Sequence, residues 1–204
     1  METIANTAQL NELVDGLAGS VAAEISASKA SDPQAEWSLV GIRSRGDILA
    51  GRLAERLTDR LSGNAIGGRV GAIDITLYRD DLSEIGAQAV VRTTEIPFDI
   101  DGANIVLVDD VLMTGRSIRA ALQVLMDFGR PRRVWLAVLV DRGGRELPIC
   151  PDIVGLDLSG SGDSTPRGDE LVDVQLTPLD DRDAIVVRPR PSTKRSSADA
   201  GVQQ

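Results

Sequence analysis

The sequence predicts an α/β fold, a central and mostly parallel sheet flanked by helices. Two apolar runs, Asn104 to Val108 and Val134 to Val140, bracket a stretch of helical periodicity at 115–128, and strand, helix, strand is the order of a βαβ unit. Aromatic residues make up 2% of the chain against 42% hydrophobic residues in all. The core is therefore built from Val, Ile, Leu and Ala, the material of strands buried on both faces.

From the start of the chain, Leu10, Leu13, Val14, Leu17, Val21 and Ile25 recur at helical spacing and predict an amphipathic helix over 8–28. Its polar face carries Glu12, Asp15 and Glu24. Pro33 lies in a turn, and Trp37 to Ile42 reads as a short strand. Ile48, Leu49, Leu53 and Leu57 then mark a helix over roughly 47–61, with Asp47 as its cap. Residues 70–79 alternate and read as an extended strand. Residues 79–96 are polar and weakly periodic, a long connection of the kind that serves as a lid. After Gly143 the candidates are short strands at Ile153-Val154, Leu171 to Leu176 and Ala184 to Val187. The expected organisation is one domain over 1–187, followed by a disordered Pro-, Ser- and Arg-bearing tail over 188–204.

Composition narrows the chemistry. The 204 residues carry 22 Lys and Arg against 31 Asp and Glu, a formal charge of -9, which repels a nucleic acid backbone at long range. There is no His, so the commonest general base and zinc ligand are missing. The single cysteine, Cys150, excludes an intrachain disulfide. No apolar run reaches transmembrane length, and the acidic start at Met1 to Asn6 does not read as a signal peptide. A cytoplasmic protein without a membrane partner is expected.

The sharpest signal is Val106-Leu107-Val108-Asp109-Asp110-Val111-Leu112-Met113-Thr114-Gly115-Arg116-Ser117. An apolar strand ends in two carboxylates, a short loop with a glycine follows, and a helix begins. Ligands bind at the carboxyl ends of strands in open α/β sheets, and a helix N-terminus offers free N–H groups to an anion. Thr114 and Ser117 add hydroxyls, and Gly115 admits close approach of a phosphate. Asp109 and Asp110 would repel that phosphate, so they suit another part of the same ligand: sugar hydroxyls, held directly or through Mg²⁺. A phosphate beside a diol describes a ribose 5-phosphate. The run lacks the Gly-Lys-Ser/Thr of a Walker A loop and the GxGxxG of a dinucleotide site.

This run resembles the phosphoribosyl-pyrophosphate signature of type I phosphoribosyltransferases. The wider sequence resembles the PyrR family within that class, whose members are pyr-operon attenuation regulators and uracil phosphoribosyltransferases. The matching segments are GIRSRG (41–46), LAERL (53–57), IDITLYRDDLS (73–83), the signature, GRPRRVWLAVLVDRGGRELPI (129–149) and the DIVG that starts at Asp152. The resemblance implies a small hood over the sheet and phosphoribosyl pyrophosphate as co-substrate with Mg²⁺. Uracil, UMP and a second copy of the chain, as a homo-dimer or larger homo-oligomer, are the implied partners.

It also implies roles. Ile42, Arg43, Ser44, Arg45 and Gly46 correspond to the pyrophosphate loop, where a strained or cis backbone is expected. Arg79 corresponds to a pyrophosphate clamp, and Asp80 or Asp81 to a helper in holding the cation beside Asp109 and Asp110. Asp109, Asp110, Arg79 and Arg45 are the expected catalytic set. Met113, Thr114, Gly115, Arg116 and Ser117 form the phosphate cradle, and Arg142 and Gly143 belong to the base-binding side. Gly144 stands where the family usually has His. The signature alone permits hypoxanthine or guanine; the TLYRDD and DRGGRELP segments point to uracil. RNA binding is the alternative function, and the acids on the first helix disfavour it.

Overall fold

Five strands form a parallel sheet in the order β3-β2-β4-β5-β6, with β2 at Trp37–Ile42, β3 at Val70–Ile73, β4 at Asn104–Leu112, β5 at Arg133–Asp141 and β6 at Ile153–Asp157. The computed structural model describes residues 1–61, 66, 68–78, 92–160 and 170–189. Helices α1 (Thr7–Ser31) and α2 (Gly46–Arg60) cover one face of the sheet, and α3 (Arg116–Phe128) covers the other. Side chains alternate along each strand accordingly. Val106 and Val108 pack with Leu10, Leu17, Leu49 and Leu53, whereas Ile105 and Leu107 pack with Ile118, Ala121 and Leu125.

A second, three-stranded antiparallel sheet has the order β1-β8-β7, with β1 at Glu2–Ala5, β7 at Glu170–Gln175 and β8 at Ala184–Pro189. It pairs the first strand with the last two described strands beside the main sheet and forms a small hood, a part of the chain other than the connection after Tyr78. β8 runs through Arg188 and Pro189, which pair with Leu171 and Glu170. Residues 190–204 lie outside the described residues. No helix among the described residues is long and apolar enough to cross a membrane.

β1 has no counterpart in the sequence reading, and three expected elements differ from it in bounds or cap. β4 continues through Asp109 and Asp110 to Leu112, because its ladder with β5 continues to Leu112 opposite Asp141. The extended strand expected over 70–79 stops at Ile73. The carboxylate of Asp74 captures the Thr76 amide at 2.8 Å and its hydroxyl at 2.5 Å, and a 3₁₀ turn at Thr76–Tyr78 follows. Asp47 does not cap α2: Arg45 is the N-cap residue, without a side-chain capping bond, and Asp47 sits in the first turn.

The hood is fastened to α2 by charge. Arg52 donates to Asp183 at 2.7 and 3.0 Å and to the Thr177 carbonyl at 2.9 Å, and Asp183 also accepts from the Thr177 amide at 2.7 Å. The Arg52 guanidinium, with the Thr177 bonds, holds the Asp183 carboxyl down at about 2. A depressed carboxylate adds stability above its unfolded-state value, and that stability is lost as pH falls through the folded value. Here it amounts to about 2 kcal/mol. Asp183→Asn is expected to lower the melting temperature by roughly 5–10 °C at about pH 6. The gap from wild type should narrow at about pH 3; a gap that stays constant would show that the ion pair does not stabilise the fold.

Candidate active site

The chain turns one way from β2 through α2 to β3 and the other way from β4 through α3 to β5. The reversal falls between β2 and β4, and a crevice outside their carboxyl ends is where an open α/β sheet binds ligands. Four segments meet there. The first is the loop after β2, residues 43–46. A Cβ on Gly46 would stand 2.5 Å from the Val108 carbonyl and 3.2 Å from the Asp109 Cα, so this loop lies directly against β4 where the carboxylate pair begins. The peptide bond between Arg43 and Ser44 is cis, as the sequence reading expected of this loop.

The second segment is the carboxylate pair. Asp109 is buried and Asp110 half-buried. Asp109 accepts the Asp110 amide at 3.0 Å, and Asp110 accepts the Val111 amide at 2.9 Å. Burial pushes the Asp109 carboxyl well above the usual range, and the neighbouring Asp110 charge adds to it. Burial also raises Asp110, while the Arg45 charge opposes the rise.

The third segment is the cradle at 113–117. Gly115 has φ +89°, and the Arg116 amide donates to the Thr114 hydroxyl at 3.3 Å. The first-turn N–H groups of α3 have no carbonyl within the helix to bond and open onto the loop. The fourth segment is the base-side loop after β5. Gly143 and Gly144 have φ of +73° and +79°, and a Cβ on Gly144 would meet Arg142 Nη1 at 3.0 Å and Met113 Cγ at 3.9 Å. Arg145 stitches this loop to the cradle. It donates to the Leu112 and Met113 carbonyls at 3.3 and 2.9 Å and to Asp141 at 2.6 Å. The Thr114 carbonyl accepts the amides of Glu146 and Leu147.

The structure thus brings together Arg45, Asp109, Asp110, Met113, Thr114, Gly115, Ser117, Arg142 and Gly143 at one end of the sheet. Three arginines point elsewhere than a phosphate. Arg43 pairs with Asp47 at 3.4 Å and Glu95 at 3.5 Å. Arg116 is exposed and pairs with Glu146 at 2.6 Å. Arg142 is buried and donates to the Glu170 carbonyl of the hood at 2.7 Å. Arg79, Asp80 and Asp81, and the rest of the lid-like connection over 79–96 as far as residue 91, lie outside the described residues.

Sequence reasoning missed Asp180. Its carboxylate takes both Nε and Nη2 of Arg45, at 3.0 and 2.9 Å, across 135 residues of chain. Nothing in the local sequence separates it from Asp181 and Asp183.

Among the described residues no group of three or more His, Cys, Asp or Glu side chains is gathered to cage a metal ion. The Asp109–Asp110 pair still suits Mg²⁺. That ion keeps several waters and takes one or two carboxylates plus phosphate oxygens, and two adjacent carboxylates with raised proton affinity gain from a shared cation.

A switch-point crevice with a phosphate cradle beside a carboxylate pair defines a phosphoribosyltransferase domain, and the family model for the phosphoribosyl transferase domain matches residues 8–162. The chain is 53% identical over 148 residues to the bifunctional protein PyrR of Thermus aquaticus, covering 72% of this chain and 77% of that one. It is 51% identical over 154 residues to the bifunctional protein PyrR of Listeria monocytogenes serotype 4b, covering 74% and 79%. The chain belongs to the PyrR family. In fold it is similar to hypoxanthine phosphoribosyltransferase from Trypanosoma cruzi in a ternary substrates complex, with TM-score 0.66 and 17% identity over 93% of this chain and 96% of that one. Another structure of that enzyme gives TM-score 0.63 and 16% identity over 93% and 98%.

Proposed function

We propose that the protein transfers the phosphoribosyl group of phosphoribosyl pyrophosphate to uracil, giving UMP and pyrophosphate. The observation that carries the reading is the pair of buried Asp109 and half-buried Asp110 beside the cradle at 113–117, inside a phosphoribosyl transferase domain. The cradle holds the 5-phosphate through the α3 amides and the Thr114 and Ser117 hydroxyls. Asp109 and Asp110 hold the ribose hydroxyls and keep C1 in register. The loop at 42–46 and Arg45 hold the diphosphate, with Arg79 joining from the following connection. The bond from C1 to the diphosphate oxygen breaks as the bond from C1 to the uracil nitrogen forms, and that nitrogen gives up its proton. Backbone groups at 142–145 hold the base. Mg²⁺ held by Asp109 and Asp110, with Asp80, would supply charge stabilisation for the departing diphosphate.

Purified protein with Mg²⁺ and phosphoribosyl pyrophosphate is expected to convert radiolabelled uracil to UMP, in preference to orotate, hypoxanthine and guanine. Folded protein that converts none of the four bases overturns the reading; conversion of hypoxanthine alone moves the base. We propose a homo-oligomer as well. Leu77, Met126 and Phe128 are exposed apolar side chains on neighbouring elements joined by the Tyr78–Asp127 hydrogen bond, surface that a second copy would cover. A monomeric mass by sedimentation would contradict it. RNA binding remains second, because Glu12, Asp15 and Glu24 are all exposed on α1 and remove the attraction that a phosphate backbone needs.

A further inference from the structure

We propose that Asp180 is a positioning residue, which fixes the Arg45 guanidinium beside the carboxylate pair and so sets the affinity for the diphosphate group. The inference rests on the phosphoribosyltransferase reading above. Arg45 begins α2, yet its side chain makes no cap there and reaches across to the hood. Asp180, in the turn between β7 and β8, grips one edge of the planar fork through Nε and Nη2. Asp173 of β7 stands 3.7 Å from the same Nη2. Nη1 has no acceptor among the described residues, so one edge of the fork is held and the other is presented. Arg45 adjoins Gly46, whose Cβ would stand 3.2 Å from the Asp109 Cα, so the residue that carries the fork lies against the stretch of β4 that bears the carboxylate pair. Asp180 is itself fixed by the Leu176 amide, which donates to it at 2.8 Å. A guanidinium held along one edge loses less freedom on meeting a diphosphate than one on a free side chain.

The same turn contains a control. Arg52 lies seven residues beyond Arg45, two turns along α2, and forks onto Asp183 three residues beyond Asp180. The two pairs fasten the same turn to the same helix, but only Arg45 stands at the crevice. A merely structural role for Asp180 predicts that Asp180→Asn and Asp183→Asn behave alike.

The test is titration calorimetry of phosphoribosyl pyrophosphate with Mg²⁺ into wild type and both variants, with a thermal melt of each. Asp180→Asn keeps the shape and the acceptor for Leu176 but loses the charge-assisted fork. Its affinity is expected to fall by at least about tenfold, with a melting temperature lowered no more than that of Asp183→Asn. Asp183→Asn is expected to melt lower and to bind as wild type does. Equal affinity of Asp180→Asn and wild type overturns the proposal, as does tighter binding, which would make Asp180 a competitor of the ligand for Arg45. Two variants that lose affinity and melting temperature in parallel also overturn it, in favour of a structural fastening. Wild type that fails to bind sinks the reading of the site, and this inference with it.

Discussion

Asp110→Asn, and likewise Asp109→Asn, is expected to slow UMP formation by about a hundredfold or more while leaving the melting temperature unchanged or raised. The two effects have one cause. Burial raises the proton affinity of both carboxyls, and at Asp109 the neighbouring charge raises it further. A carboxylate whose folded value lies above its unfolded one is a cost to the fold at neutral pH, by linkage. Asparagine removes the buried charge and keeps an oxygen for the Asp110 and Val111 amides that now donate to these side chains. The fold therefore loses no hydrogen bond and is relieved of repulsion. On the proposed reading, what disappears is the anionic grip on ribose hydroxyls and on a cation shared with them. Steady-state assays paired with thermal melts check this. A variant that melts well below wild type and turns over normally would make the pair structural.

Gly41→Ala is expected to strike the fold and the site together, destabilising the fold by about 3 kcal/mol and abolishing binding of phosphoribosyl pyrophosphate. A Cβ at Gly41 would stand 2.5 Å from the Asp47 amide nitrogen and closer still to the Gly46 carbonyl and the Asp47 Cα, all of them backbone. β2 cannot yield, because Gly41 is paired on one side with Ala72 and on the other with Val108. The start of α2 must therefore retreat, and it carries the 43–46 loop and Arg45 with it. Gly51→Ala provides the contrast on the same helix. Nothing lies within 4 Å of its Cβ, so it should gain up to about 1 kcal/mol from helix propensity. Urea unfolding of both variants separates the cases. A Gly41→Ala protein as stable as wild type would show that the helix start can move freely.

What the sequence by itself determined is what local pattern and spacing can encode. The continuous apolar runs of β2, β4 and β5, buried on both faces, and the helical repeat of α1, α2 and α3 fix those elements to within a few residues, because burial of a whole strand or of one helix face is written in the local pattern. The run from Val106 to Ser117 places strand, carboxylates, glycine and helix start in consecutive positions, so the cradle and the pair were legible before any fold was known. β1 was not, since Glu2–Ala5 is a strand only through pairing with β8, more than 180 residues away. The end of β3 was not, because a side chain of Asp74 rather than any strand-breaking residue stops it. Tertiary structure alone decided the partners of the arginines. An arginine in a motif reads as a phosphate ligand, but a long charged side chain settles on whichever carboxylate the fold brings near. The fold brought Asp180 to Arg45, Glu95 to Arg43 and Asp183 to Arg52. Those distances in sequence range from about fifty to more than a hundred residues, and no local pattern spans them.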